Sequence, residues 1–160
     1  MIVGITGYAG SGKDSLGRCF VQNHGYTRVA FADAVKLMAL EHHGWNGRKD
    51  ETGRALLQEV GSIMRDEYEH YWVDAAFSEA SKHEHVVMTD VRYPNELTRL
   101  RQLGGVFVRI IRPGVGPIND HPSETALDDQ PADVTVINDA TIDKLELCAA
   151  AIAMRVSFIR

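Results

Sequence analysis

Five short runs, residues 2–6, 28–31, 86–89, 106–111 and 134–137, are almost wholly apolar and rich in Val and Ile. A strand with one wet face alternates apolar and polar residues, whereas a run that is apolar at nearly every position has to be covered on both faces. Between the runs lie segments of helical period, long enough for crossovers that return each strand parallel to the last. The pattern predicts an α/β fold in which a five-stranded parallel sheet lies between two helix layers. The expected helices are 13–23, 34–42, 50–69, 71–82, 94–103 and 142–156. In the third, Leu56, Leu57, Val60 and Met64 make an apolar stripe; in the last, Ile142, Leu145, Ala149 and Ile152 share a face. Pro94 suits a first helical turn, and Gly104 with Gly105 suits the stop that follows. The 160 residues suffice for one domain, 1–160, that buries its core without staples.

Two segments resist this scheme and read as functional loops: 41–52, polar and glycine-containing, and 112–133, with prolines, two glycines and several acidic residues. A net charge of −5 argues against a general surface for polymeric nucleic acid, which requires concentrated Lys and Arg, but leaves room for a small anion held by a few local arginines. Cys19 and Cys148 are far apart and have no Cys or His at ligand spacing, so neither a disulfide scaffold nor a zinc site is signalled. The start MIVGITG has no basic leader, and no stretch approaches about 18 consecutive apolar residues. A cytoplasmic protein without a membrane partner is the expectation.

The chemistry is signalled first by GITGYAGSGKDSLG, which joins the first expected strand to the first expected helix. Gly7, Gly10 and Gly12 permit positive φ and leave no Cβ in the way, so consecutive N–H groups can surround an anion. Lys13 adds a mobile charge suited to β- and γ-phosphates. The spacing is that of a phosphate-binding loop, with one departure. Asp14 stands where a Ser or Thr hydroxyl normally helps hold magnesium. A carboxylate there is either a helix-start residue favoured by the helix dipole or a ligand, direct or through water, to a Mg²⁺ lying between it and the phosphates. Ser15 keeps a hydroxyl for the α-phosphate.

The run HVVMTDVRYPNE puts Asp90 at the end of an apolar strand, on the edge of a parallel sheet where ligands bind, and makes it the second candidate metal carboxylate. Arg92 follows on the same edge, where a guanidinium can meet a transferring phosphoryl group.

Taken together, GYAGSGKDS, FADAVK, GRALLQEVG, TDVRYPNE, RIIRP, HPSE and VINDATIDKLE, in this order and over nearly the whole chain, resemble the phage deoxynucleoside monophosphate kinases, relatives of the adenylate kinase-like phosphotransferases. An Asp after the loop lysine occurs in that family as well. The resemblance implies a three-layer P-loop NTPase fold with strand order 2-3-1-4-5, and a magnesium-dependent transfer of the ATP γ-phosphoryl group to a deoxynucleoside 5′-monophosphate. It implies an ATP site at Gly10, Ser11, Gly12, Lys13, Asp14 and Ser15, with Arg109 near the phosphates and Asn138, Asp139 and Ala140 against the adenine. Lys13, Arg92 and Arg112 become the catalytic cations, and Asp14 and Asp90 the metal carboxylates. The acceptor region spans about 33–72, with Asp33, Lys36, Arg54, Gln58, Arg65, Trp72 and Arg92 toward the incoming nucleotide; a lid-like segment spans about 112–133. The spacing of Arg54, Gln58 and Arg65 is equally that of the wet face of an amphipathic helix, and Trp72 with Tyr68 equally that of core aromatics. His121 and Ser123 of HPSE receive no catalytic role, since phosphoryl transfer needs positioning more than a strong base.

The resemblance also implies a host-cytoplasmic location if the chain is phage-encoded, nucleotides as its small-molecule partners, and a homodimer as a possible assembly. Two other functions share the donor half of this pattern: a small-molecule kinase of the phosphomevalonate or dephospho-coenzyme A type, and a nucleotide-dependent switch protein. The acceptor half separates the first from a nucleotide kinase, and acceptor-dependent turnover separates the second.

Overall fold

The computed structural model describes residues 1–48, 50–119 and 121–157. Its five parallel strands are β1 (Ile2–Thr6), β2 (Thr27–Val29), β3 (Val86–Met88), β4 (Val106–Ile111) and β5 (Val134–Ile137), in the order β2-β3-β1-β4-β5. Seven helices accompany them among the described residues: α1 (Lys13–His24), α2 (Phe31–His42), α3 (Glu51–Glu67), α4 (Tyr71–Ala80), α5 (Pro94–Gln102), α6 (Pro122–Thr125) and α7 (Ile142–Ser157). The register runs Val3 against Val87 and Val106, and Val108 against Val134, so the strand ends carrying Thr6, Met88 and Ile111 lie on one edge. No helix among the described residues is long and apolar enough to cross a membrane.

The chain divides into two compact units, residues 1–28 with 83–160 in one and Val29–Lys82 in the other. In the first, alternate residues of the central strand serve opposite faces. Val3 and Ile5 join Leu16, Phe20, Val108, Ile110, Leu145, Ala149 and Ile152 in one core, which seats α1 and α7 on the sheet. Gly4 faces the other way, where a Cβ would collide with the side chain of Leu100 on α5, so its lack of a side chain sets how closely that helix approaches. The second unit is helical, with Val35, Ala39, Val60 and Trp72 at its centre and Leu56, Leu57 and Met64 packed around them, as the expected stripe requires.

Local chemistry moved several boundaries. The second strand ends at Val29 and not at residue 31, because Phe31 opens α2 and packs edge-on against Phe77, centroids 5.8 Å apart. Asp50 is the N-cap of α3 and not its first residue; its carboxylate accepts from Gly53 N–H at 2.9 Å. Tyr68 turns to an extended conformation and ends that helix at Glu67. Ile142 does not share the buried face of α7; it opens the helix and is 56% exposed. The turn α6 interrupts segment 112–133, which the sequence pattern leaves without structure: His121 Nδ1 accepts from Ser123 N–H, and Pro122 occupies the first turn.

Candidate active site

The phosphate loop is built as its sequence requires. Gly7, Gly10 and Gly12 have φ of 145°, 79° and 105°, values open to glycine and strained for other residues. Gly12 is the N-cap of α1, so the unpaired N–H groups of the first helical turn meet the concavity of the loop. Two features of the loop are compatible with an anionic ligand. Ser11 Oγ is buried without a hydrogen-bond partner among the described residues. Lys13, only 9% exposed, donates from Nζ to the carbonyl oxygens of Gly7 at 2.5 Å and Tyr8 at 2.7 Å, bonds a phosphate oxygen can replace. Burial lowers the pKa of that ammonium and Arg92 lowers it further, while the carboxylates of Glu124, Asp14 and Asp90 act in the opposite direction. The lysine therefore senses the nearby arginine and all three of these carboxylates.

Asp14 is exposed in the first turn of α1, and Asp90 is half-buried just past β3. Among the described residues no three His, Cys, Asp or Glu side chains converge as a ready-made metal cage. That donor set suits magnesium, which takes one or two carboxylates and completes its shell with water and phosphate oxygens.

Arg92 is fixed at both ends. The buried carboxylate of Glu96, one turn into α5, accepts from Arg92 N–H at 2.6 Å and from Tyr93 N–H at 3.1 Å, which satisfies two donors ahead of the helix. The guanidinium donates from Nη1 to Glu124 Oε1 at 3.1 Å and to the Ser123 carbonyl at 3.4 Å. The other two arginines are partly committed as well. Arg109 donates from Nη2 to the carbonyl oxygens of Leu127 and Gln130, at 2.6 and 2.8 Å, and so holds residues 127–130 beside β4. Arg112, exposed, lies 3.5 Å from the Gly10 carbonyl. Tyr8 OH reaches across from the phosphate loop to Asp128 Oδ2 at 2.8 Å, and this bond raises the tyrosine pKa.

A cavity of about 290 Å³ opens among these groups, lined by Gly7, Tyr8, Ser11, Arg92, Arg112 and Glu124, with Ile110 and Leu127 supplying apolar wall. Asn138 borders the loop from β5. Its side chain donates to the Ser11 carbonyl at 2.8 Å and packs where a Cβ on Gly12 would stand, while its N–H donates to Ile111 at 2.7 Å. The side chain expected against adenine is thus engaged with the loop backbone. Asp139 is paired with Lys144, which lowers its pKa, and Ala140 is exposed beside it.

Ser15 is half-buried on α1, and the remaining residues expected at the acceptor lie in the helical unit. Asp33 and Lys36 pair one turn apart on α2 at 2.6 Å. Arg54 and Gln58 are exposed on α3, and Arg65 is half-buried, donating to the Gly61 carbonyl at 3.2 Å. Trp72 is different. It is 2% exposed, and its indole N–H donates to the Gly61 carbonyl at 2.9 Å, so its ring serves the core of this unit and offers no face to an acceptor base.

Tyr8, Glu96, Glu124 and Asp128 shape this site without having been singled out for it in the sequence. Glu96 carries a legible signal, a carboxylate at the third position of a Pro-started helix. Glu124 and Asp128 carry none, because their partners lie far along the chain, Arg92 for Glu124 and Tyr8 and Arg109 for Asp128.

Comparison with known proteins agrees with this geometry. A family model described as deoxynucleotide monophosphate kinase matches residues 41–148. A protein of Acanthamoeba polyphaga mimivirus, assigned by inference as a deoxynucleotide monophosphate kinase, is 27% identical over 90% of this chain and 91% of its own length. The deoxynucleotide monophosphate kinase of Enterobacteria phage T4 is 25% identical over 58% of this chain and 41% of its own. Among solved structures, shikimate kinase from Aquifex aeolicus superposes with a TM-score of 0.57 over 99% of both chains at 16% identity, a likeness of fold.

Proposed function

Since the chain belongs to the deoxynucleotide monophosphate kinase family, we propose that it transfers the γ-phosphoryl group of ATP to a deoxynucleoside 5′-monophosphate, giving the diphosphate and ADP. One observation carries the assignment of the donor side: a glycine loop whose buried Ser11 hydroxyl has no partner among the described residues opens onto the same cavity as Arg92, beside the buried ammonium of Lys13. Loop N–H groups and the start of α1 bind the polyphosphate, with Ser15 at the α-phosphate. Lys13 gives up its two carbonyl bonds to follow the charge of the phosphoryl group in flight. Arg92 and Arg112 neutralise the same charge from the strand edge, and Arg109 holds segment 112–133 close by.

Asp14 and Asp90 would hold magnesium, whose charge, when present, screens the phosphates from each other and from these carboxylates. In the helical unit Asp33, Lys36, Arg54, Gln58 and Arg65 are the residues we assign to the acceptor nucleotide, the arginines to its phosphate. The test is ADP production measured with each of the four deoxynucleoside monophosphates and their ribo counterparts. ATP consumption should track the acceptor added. A turnover indifferent to acceptor would instead fit a slow nucleotide switch.

A further inference from the structure

We infer that Glu124 is a positioning residue for phosphoryl transfer, holding the Arg92 guanidinium at the phosphate loop and tying that arginine to segment 112–133. The inference rests on the assignment of Arg92 to the transferred phosphoryl group.

The backbone of Arg92 is already immobilised by Glu96, but a long flexible side chain is not thereby aimed. Its aim comes from Glu124 Oε1 at 3.1 Å, helped by the Ser123 carbonyl on the same turn. That turn is itself well supported. His121 caps it, Pro122 starts it, and the segment beyond is pinned by buried Leu127, by Arg109 on two of its carbonyl oxygens and by Tyr8 on Asp128. A guanidinium presents five donors in a rigid plane, so Nη1 can stay on the carboxylate while the rest of the fork meets a phosphate.

Stability does not account for this arrangement. The Glu124 side chain is 10% exposed, and its Oε2 is buried with no partner among the described residues. Half-satisfied burial of a carboxylate opposes folding more than a partly exposed ion pair favours it.

The test is a double-mutant cycle on the full chain: kcat and KM for ATP and acceptor, ATP affinity by calorimetry, and Tm, for Glu124→Gln, Glu124→Ala, Arg92→Ala and Arg92→Ala/Glu124→Ala. Glu124→Gln preserves shape and covers the case in which Glu124→Ala fails to fold. We expect Glu124→Gln to lower kcat about 10-fold at unchanged Tm and ATP affinity, and the double variant to be no worse than Arg92→Ala alone. Wild-type kcat in Glu124→Gln would overturn the inference, as would independent, multiplicative losses in the double variant. Tighter ATP binding by Glu124→Gln would overturn it too, marking the carboxylate as an anion that phosphate displaces. Full turnover in Arg92→Ala would remove the assignment of Arg92 and the inference with it; a large loss there, combined with multiplicative effects, removes the inference alone.

Discussion

Replacing Asn138 with Asp exchanges the side-chain NH₂ for an oxygen and leaves the side-chain volume nearly the same, which makes it a sensitive probe of how the phosphate loop is held. In the native protein the amide donates to the Ser11 carbonyl at 2.8 Å, and it fits there because Gly12 has no Cβ. The aspartate loses a partly buried hydrogen bond with a net value of about 1 kcal/mol. It also sets a carboxylate oxygen against a carbonyl oxygen at hydrogen-bond distance, and leaving that carbonyl unpaired costs a further ~1–2 kcal/mol. The total, roughly 2–3 kcal/mol, falls on the ligand-ready form of the loop and corresponds to a loss of ATP affinity on the order of 30- to 150-fold. Asn138→Ala also removes the donor but leaves space in which water can pair the Ser11 carbonyl, so it should weaken affinity about 5-fold. Calorimetric titration with ATP, alongside acceptor affinity and Tm, separates a loop effect from general destabilisation. ATP affinity in Asn138→Asp within 2-fold of wild type would refute the reasoning and return Asn138 to a bystander role.

Three other outcomes follow from the same structure. Asp14→Asn should lower activity at limiting magnesium by about 10-fold and recover in part with excess Mg²⁺ or with Mn²⁺; a metal response identical to wild type would identify Asp14 as a helix-dipole residue only. Trp72→Ala should destabilise the protein by about 3–5 kcal/mol in urea titration, since it empties the core of the helical unit, whereas Trp72→Phe should cost about 1–2 kcal/mol for the lost bond to the Gly61 carbonyl. Asp50→Ala should cost about 1 kcal/mol through the lost cap on Gly53 N–H, read as a lower urea midpoint.

What sequence could tell depended on how local the cause was. Strand identity is local, because a run such as VVM must be covered on both faces wherever it sits; the sheet order is not local, and only the family resemblance implied it. Phe31 misled because its apolar ring reads alike at the end of a strand and at the start of a buried helix, and packing against Phe77 decides between them. The loop residues were legible for the same local reason: positive φ demands glycine at fixed spacing. The electrostatic partners were not. Nothing in TDVRYPNE says that Arg92 meets a carboxylate from HPSE 32 positions on, nor that Arg109 spends its donors on the carbonyl oxygens of Leu127 and Gln130. Trp72 shows the reverse: the resemblance turned it toward the acceptor base, its helical spacing was also that of a core aromatic, and its indole N–H is consumed within its own core.

The most direct test of the account follows the phosphoryl group itself. ATP carrying ¹⁸O in its γ-phosphate, incubated with magnesium and a deoxynucleoside 5′-monophosphate, should give a deoxynucleoside diphosphate whose terminal phosphate holds the label, and Lys13→Ala should abolish its formation while leaving Tm near that of the wild type. Label recovered in inorganic phosphate at the wild-type rate, with the monophosphate unchanged, would contradict the claim that this chain is a nucleotide kinase.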